Sequence, residues 1–134
     1  MSEYDPLCRV GMAIVEDEKD LVTIYERIFS KWGIFICFIA FDGLEAVKKF
    51  IECTPKPHVV LMDYRLPVMN GVEATKEILK TDPDVRIVFL SADAGVKDEA
   101  MRAGAFIFLI KPAGIKDIVG AVESAFGKPL QKQV

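Results

Sequence analysis

The sequence predicts an α/β domain built around a parallel five-stranded sheet, and three observations carry that expectation. Short continuous apolar runs, rich in β-branched and aromatic residues, alternate with longer stretches of helical spacing. None of these runs shows clean polar alternation, the pattern expected of buried strands covered by helices on both faces. At 134 residues, 51% of them hydrophobic, the chain is sized for one domain with a core that needs no covalent staples.

The first strand is read at Arg9–Val15, followed by a helix over Glu18–Lys31, with Trp32 as a packing residue at its end. Ile34–Ala40 forms the second strand and Gly43–Cys53 the second helix. Thr54-Pro55-Lys56-Pro57 then breaks the chain before the third strand, His58–Met62, where His58 reads as a turn or surface residue. A third helix over Gly71–Lys80 ends at the Asp82-Pro83-Asp84 turn, which leads into the fourth strand, Arg86–Leu90. Val96–Ala103 is the fourth helix, and Gly104 separates it from the fifth strand, Ala105–Ile110.

The last helix, Ile115–Phe126, has the clearest signature. Ile115, Ile118, Val119, Val122, Ala125 and Phe126 form one apolar stripe at helical spacing, while Lys116, Asp117 and Glu123 fall off it. Gly127-Lys128-Pro129 stops the helix. Residues 1–8 are thus read as an N-terminal extension, 9–127 as the domain and 128–134 as a short flexible tail.

Composition excludes several classes of function. A net charge of −3 offers no general attraction to nucleic acid, and the basic residues near Lys128 and Lys132 are too sparse to track phosphates. Cys8, Cys37 and Cys53 are odd in number and lack CxxC spacing, so reduced, mostly buried thiols are expected rather than disulfides or zinc. Ser2-Glu3-Tyr4-Asp5-Pro6 has no basic or apolar leader character, and Gly33 to Phe41 is too short to cross a membrane. The expected location is the cytoplasm, with neither membrane nor nucleic acid as a direct partner.

Four of the five apolar runs end in polar residues: Glu16 and Asp17, then Asp63, then Ser91, then Lys111. Their spacing by whole β-α units brings all of them to the carboxyl edge of a parallel sheet, where open α/β folds bind ligands. Three carboxylates gathered in a partly dry crevice repel one another and call for a cation or for protons. An oxygen-only set without His or Cys suits a hard ion, foremost Mg²⁺, with Mn²⁺ as a substitute.

The chain resembles the receiver domain of two-component response regulators from about Arg9 to Phe126. The markers occur in the family's order: Ile14-Val15-Glu16-Asp17-Glu18, Val60-Leu61-Met62-Asp63-Tyr64-Arg65-Leu66-Pro67-Val68-Met69-Asn70-Gly71, Phe89-Leu90-Ser91-Ala92 and Ile110-Lys111-Pro112. The resemblance implies a flavodoxin-like, doubly wound (βα)5 sheet in the order 2-1-3-4-5. It implies Asp63 as acceptor of a phosphoryl group from a histidine kinase or histidine phosphotransfer protein, or from a small phosphodonor. Asp17, Asp63 and the Arg65 backbone carbonyl would hold Mg²⁺, with Glu16 acting through a water. Lys111, before a cis bond to Pro112, and Ser91 would meet the phosphate oxygens, and Phe108 would swing inward as the switch aromatic. Phe108 also fits a plain packing role. The output would be altered binding to a partner or a second copy, without enzymatic action on an external substrate.

Departures from the family's pattern sharpen other expectations. Glu16 stands where many receivers have Asp, and Ala113 stands where Phe often follows the Lys-Pro pair. Phe106 and Ile107 replace frequently polar residues, suggesting either a contact face formed with the fourth and fifth helices or extra core burial. Arg65 and Asp93, two residues beyond Asp63 and Ser91, are placed to tune phosphate lifetime. Two other classes of function fit the sequence less well. A metal-dependent phosphohydrolase of the haloacid dehalogenase type needs Asp-x-Asp after its first strand, which Glu16-Asp17-Glu18-Lys19-Asp20 does not supply. A phosphorylation-independent interaction module would not need the complete polar set.

Overall fold

The computed structural model of the chain describes residues 10–132. Strands and helices alternate as β1 (Val10–Val15), α1 (Lys19–Lys31), β2 (Ile34–Ala40), α2 (Gly43–Glu52), β3 (Val59–Met62), α3 (Gly71–Thr81), β4 (Arg86–Ser91), α4 (Lys97–Ala103), β5 (Ile107–Ile110) and α5 (Ile115–Phe126). The five strands are parallel in the order β2-β1-β3-β4-β5, the order implied by the resemblance. A 3-10 turn at Ala94–Val96, ahead of α4, has no counterpart in the sequence reading. The expected start of the first strand at Arg9, and Cys8 among the thiols, lie outside the described residues.

The continuous apolar runs are explained by what lies on either side of the sheet. Met12 and Ile14 of β1, Val59 and Leu61 of β3, and Val88 and Leu90 of β4 face one core with Val22, Tyr25 and Phe29 of α1 and Ile118 and Val122 of α5. The alternate residues, Ala13, Val15, Val60, Met62, Ile87 and Phe89, face a second core closed by α2, α3 and α4 through Phe50, Ile78 and Ala100. Two dry faces make the three inner strands apolar throughout, save Arg86 and Ser91 at the two ends of β4.

The edge strands depart from the expectation of five buried strands. In β2 only Ile34 and Ala40 are buried, and Phe35 is half exposed; β5 is partly covered along Ile107–Leu109 and open at Ile110. An edge strand has a neighbour on one side only, so helices cover it less completely. The β1–β2 register also slips: Met12 pairs with Ile36 and Ala13 with Phe38, leaving Cys37 unpaired in a bulge. The slip sends Ile36 toward the first core and Phe38 toward the second.

Local chemistry sets the helix ends. The Asp42 carboxylate accepts the Glu45 N–H at 2.7 Å, and Glu45 in turn accepts the Phe41 N–H at 2.6 Å, closing the start of α2. Asn70 caps α3 by accepting the Glu73 N–H at 2.9 Å. Gly104 and Gly127 end α4 and α5 at φ 113° and 77°, a conformation glycine adopts without a Cβ clash. Beyond α5, in the segment expected to be flexible, Leu130 is buried and its N–H donates to Glu123 at 2.8 Å.

Two further expectations are corrected. Ile115, assigned to the buried stripe of the last helix, is 56% exposed. It occupies the first turn of α5 and joins Ile110 as an exposed apolar residue on the β5 side, whereas Ile118, Val119, Val122 and Ala125 are buried. The described thiols, Cys37 and Cys53, are free but half-buried. Their places in the β2 bulge and at the end of α2 explain why they escape full burial.

Two outcomes follow from the buried polar groups. The Thr75 hydroxyl is fully buried without a hydrogen-bond partner, so Thr75→Val should raise the free energy of urea unfolding by about 1 kcal/mol. Burial, with the Cys53 thiol nearby, pushes the Cys37 thiol up to about 11. The folded chain therefore keeps a proton that the unfolded chain releases near about pH 8.5, and stability present below that pH is lost as pH rises toward 11. Cys37→Ala should flatten the decline in unfolding free energy across this window, measured by urea titration at successive pH values.

Candidate functional site

The sheet ladder itself positions the polar residues. One step past the ends of the strands, the Glu16 N–H donates to Ala40 of β2 (3.0 Å), the Asp63 N–H to Val15 of β1 (3.1 Å) and the Lys111 N–H to Ser91 of β4 (2.8 Å). Each backbone is thus held in register with the neighbouring strand before its side chain leaves the sheet. Parallel strands put the ends of all five on the same edge.

There Glu16, Asp17 and Asp63 come together, each offering a carboxylate oxygen within 4.8 Å of the others. Glu16 and Asp63 are buried and Asp17 is exposed, so the cluster opens to solvent on the Asp17 side. The Lys111 ammonium enters from across the sheet, 2.8 Å from Glu16 Oε1 and 3.5 Å from Asp63 Oδ1. The first distance is a charged hydrogen bond, while the second is a looser ion pair.

Burial raises the Glu16 carboxyl above its usual range against the Lys111 hydrogen bond, and the charge of Asp63 adds to the rise. Burial also raises Asp63, opposed by Lys111 and by the Tyr64 N–H that Asp63 Oδ1 accepts at 2.9 Å. Burial pulls the Lys111 ammonium down, but its bond to Glu16 and the charges of both acids hold it above the ordinary lysine value. One lysine does not cancel three acids. An octahedral Mg²⁺ with oxygens at about 2.1 Å has ligand pairs roughly 3–4 Å apart, so this all-oxygen cluster fits the ion with at most a small contraction or an intervening water.

The response regulator receiver domain family matches residues 12–123, the span that contains all of these residues. The chain belongs to this family. It is 38% identical over 111 residues to a chemotaxis protein CheY from Thermotoga maritima, covering 81% of this chain and 91% of that one. It is 46% identical over 110 residues to a protein-glutamate methylesterase/protein-glutamine glutaminase of the same organism, covering 78% of this chain but 31% of the longer relative. Its fold matches CheY in a CheX-CheY-BeF3-Mg complex from Borrelia burgdorferi, with a TM-score of 0.82 and 28% identity over 87% of this chain and 89% of that one. A receiver domain of a sensor histidine kinase from Pseudomonas aeruginosa matches with a TM-score of 0.80 and 27% identity over 90% and 99% of the two chains; that structure has magnesium in its active-site cleft. The protein is therefore a CheY-like signalling domain of two-component systems with a flavodoxin-like fold. Among the described residues no helix is long and apolar enough to cross a membrane.

The other residues singled out in this receiver take varied places. The Ser91 side chain is buried, and its hydroxyl oxygen accepts the Asp93 N–H at 3.0 Å. Asp93 is itself engaged, with Oδ1 accepting the Gly95 N–H at 2.9 Å to start the 3-10 turn. Arg65 is exposed on the loop after β3. Phe108 is half-buried and stacks on the fully buried Phe89 with ring centroids 5.7 Å apart. Phe106 and Ile107 are also half-buried; the Arg86 guanidinium lies 4.6 Å from the Phe106 ring centre. The Lys111–Pro112 peptide is cis.

Three features of the site were absent from the sequence reading. One is the Glu16–Lys111 bond, which joins residues 95 positions apart and leaves no local signature. The second is the packing of two glycines. A Cβ on Gly71 would collide with the Asp63 carbonyl and one on Gly43 with the Met69 carbonyl, so both glycines let backbones close around the loop that follows Asp63. The third is Val68, 78% exposed, with φ at 69° and a 2.7 Å bond from the Met69 N–H to the Pro67 carbonyl that closes a γ-turn. A β-branched residue gains nothing from this conformation, whereas Asn tolerates it. Val68→Asn should raise the unfolding free energy by about 1 kcal/mol in urea titrations.

Proposed function

We propose that this receiver accepts a phosphoryl group on Asp63 from the phosphohistidine of a histidine kinase or histidine phosphotransfer protein. The observation that carries this reading is the meeting of Glu16, Asp17 and Asp63 with Lys111, side chains brought from three separate strand ends to one crevice. An Asp63 carboxylate oxygen forms a bond to phosphorus as the phosphorus–nitrogen bond to the donor histidine breaks; the donor ring, already protonated on its other nitrogen, leaves as neutral imidazole and Asp63 becomes an aspartyl-phosphate. Asp17, Asp63 and the Arg65 backbone carbonyl would hold Mg²⁺, with Glu16 acting through a water. The ion supplies charge neutralisation for the transferring group and orients its oxygens.

The chain's own residues do the rest. Lys111, bonded to Glu16 and within reach of Asp63, would present its ammonium to the developing phosphate oxygens. The Ser91 oxygen accepts from Asp93, which leaves its hydroxyl proton available to a phosphate oxygen. A Ser91 drawn toward the phosphate opens space beside β4 for Phe108, which now lies against Phe89. The readout face would then be the β5–α5 side, where Ile110 and Ile115 are exposed and a groove of about 370 Å³ is lined by Ile107, Leu109, Ala113 and Gly120. A second copy or an output protein would bind there. Ala113 lines this groove at the position where a Phe often stands in relatives.

Arg65 and Asp93 would set the lifetime of the phosphate. Arg65 is free to meet incoming water, and Asp93 acts through the turn that it caps. Incubation with Mg²⁺ and acetyl phosphate should give a single phosphoryl adduct by mass spectrometry, lost in Asp63→Asn. An adduct that persists at the same level in that variant would move the acceptor elsewhere; no adduct in the native chain would favour an interaction module that works without phosphorylation.

A further inference from the structure

Lys111 has two acidic neighbours, and the nearer is not the proposed phosphoacceptor. Its ammonium is hydrogen-bonded to Glu16 Oε1 at 2.8 Å, while Asp63 Oδ1 stands 3.5 Å away. Glu16 is only 3% exposed and its second oxygen is also engaged, Oε2 accepting the Glu18 N–H at 3.1 Å. The carboxylate is therefore satisfied within the protein and held by contacts at both oxygens.

The span of this bond explains why a glutamate serves here. β1 and β5 are separated by β3 and β4, three strand spacings or roughly 14 Å at ~4.8 Å each. Only two long side chains reaching toward each other close that gap. An aspartate at the same backbone position would fall short by roughly one methylene, about 1.3 Å, which turns a 2.8 Å hydrogen bond into a gap of about 4 Å. Lys111 would then have Asp63 as its nearest partner.

We propose that Glu16 is a latch that holds Lys111 in reserve, releasing it toward Asp63 only when a divalent cation occupies the acidic cluster. This rests on the reading above that the cluster binds such an ion. Glu16 cannot turn Oε1 to a cation or to a cation-bound water without weakening its hold on the lysine, and the lysine is repelled from the same place by like charge. Glu16 thus couples the two positive charges that phosphoryl transfer needs. It places them in order, the cation first and the ammonium second. Glu16 acts here as a positioning residue, through Lys111 and not on the reacting atoms.

The latch predicts a coupling that simple repulsion does not. Mg²⁺ affinity should be measured by titration calorimetry for the native chain, Glu16→Asp, Lys111→Met and the double variant, with urea unfolding to verify that each is folded. Lys111→Met should tighten Mg²⁺ about tenfold in the native background and several-fold less in Glu16→Asp, where the bond is already broken and only the like-charge repulsion of an ammonium beside Asp63 is relieved. Equal tightening in both backgrounds would mean charge repulsion alone and would overturn the latch. In the unaltered chain, the ¹⁵N resonance of the Lys111 ammonium should shift on Mg²⁺ addition, and a resonance unmoved at saturation would also overturn it. Mg²⁺ uptake without coupling removes the latch and leaves the metal site standing; no uptake by the native chain removes both.

Discussion

Three carboxylates are forced together at one end of a parallel sheet with Lys111 alone, among the described residues, paired against them, and the rest of the structure is arranged around that repulsion. The acids cannot drift apart, because Glu16 and Asp63 are each pinned by a ladder hydrogen bond one residue beyond their strand ends. They cannot be fully hydrated either, since both lie buried above two apolar layers. Burial raises the carboxyls of both above their ordinary range, a sign that the cluster is incomplete without further positive charge. A fold that kept these groups solvated would have no comparable deficit of positive charge.

The loop after Asp63 shows how strain is accommodated near such a site. Gly71 lies against the Asp63 carbonyl, Gly43 lies against the Met69 carbonyl, and the Gly71 N–H donates to Tyr64 at 2.9 Å. With both ends of the loop held in this way, the remaining residues have little freedom, and Val68 is left in a conformation that its branched side chain disfavours. Its solvent-facing side chain contributes almost nothing to the core in return.

On the opposite flank, β5 joins the charged crevice to an apolar surface. Its last residue, Ile110, is exposed and its successor, Lys111, reaches into the acids, while Phe108 two residues earlier stacks on the core through Phe89. A short edge strand with both kinds of contact is well placed to carry a change from one to the other. Its single neighbouring strand leaves it freer to shift than β1, β3 or β4, which are held on both sides.

Much of this was legible from local pattern. The positions of all five strands and five helices follow from apolar runs, helical spacing and breakers, and the meeting of Glu16, Asp17, Asp63 and Lys111 follows from counting β-α units. The strand order came from family resemblance, since periodicity does not say which strand pairs with which. What escaped was decided by neighbours distant in the chain: the exposure of Ile115, the half-burial of Cys37 in a register slip, and the preference of Lys111 for Glu16 over Asp63. The sequence by itself determined which residues carry charge and which edge of the sheet they reach, because parallel topology and a period of two leave no alternative. Only the tertiary structure decided which of those charges touch, because side-chain reach across three strand spacings turns on differences of about an ångström that no local pattern records.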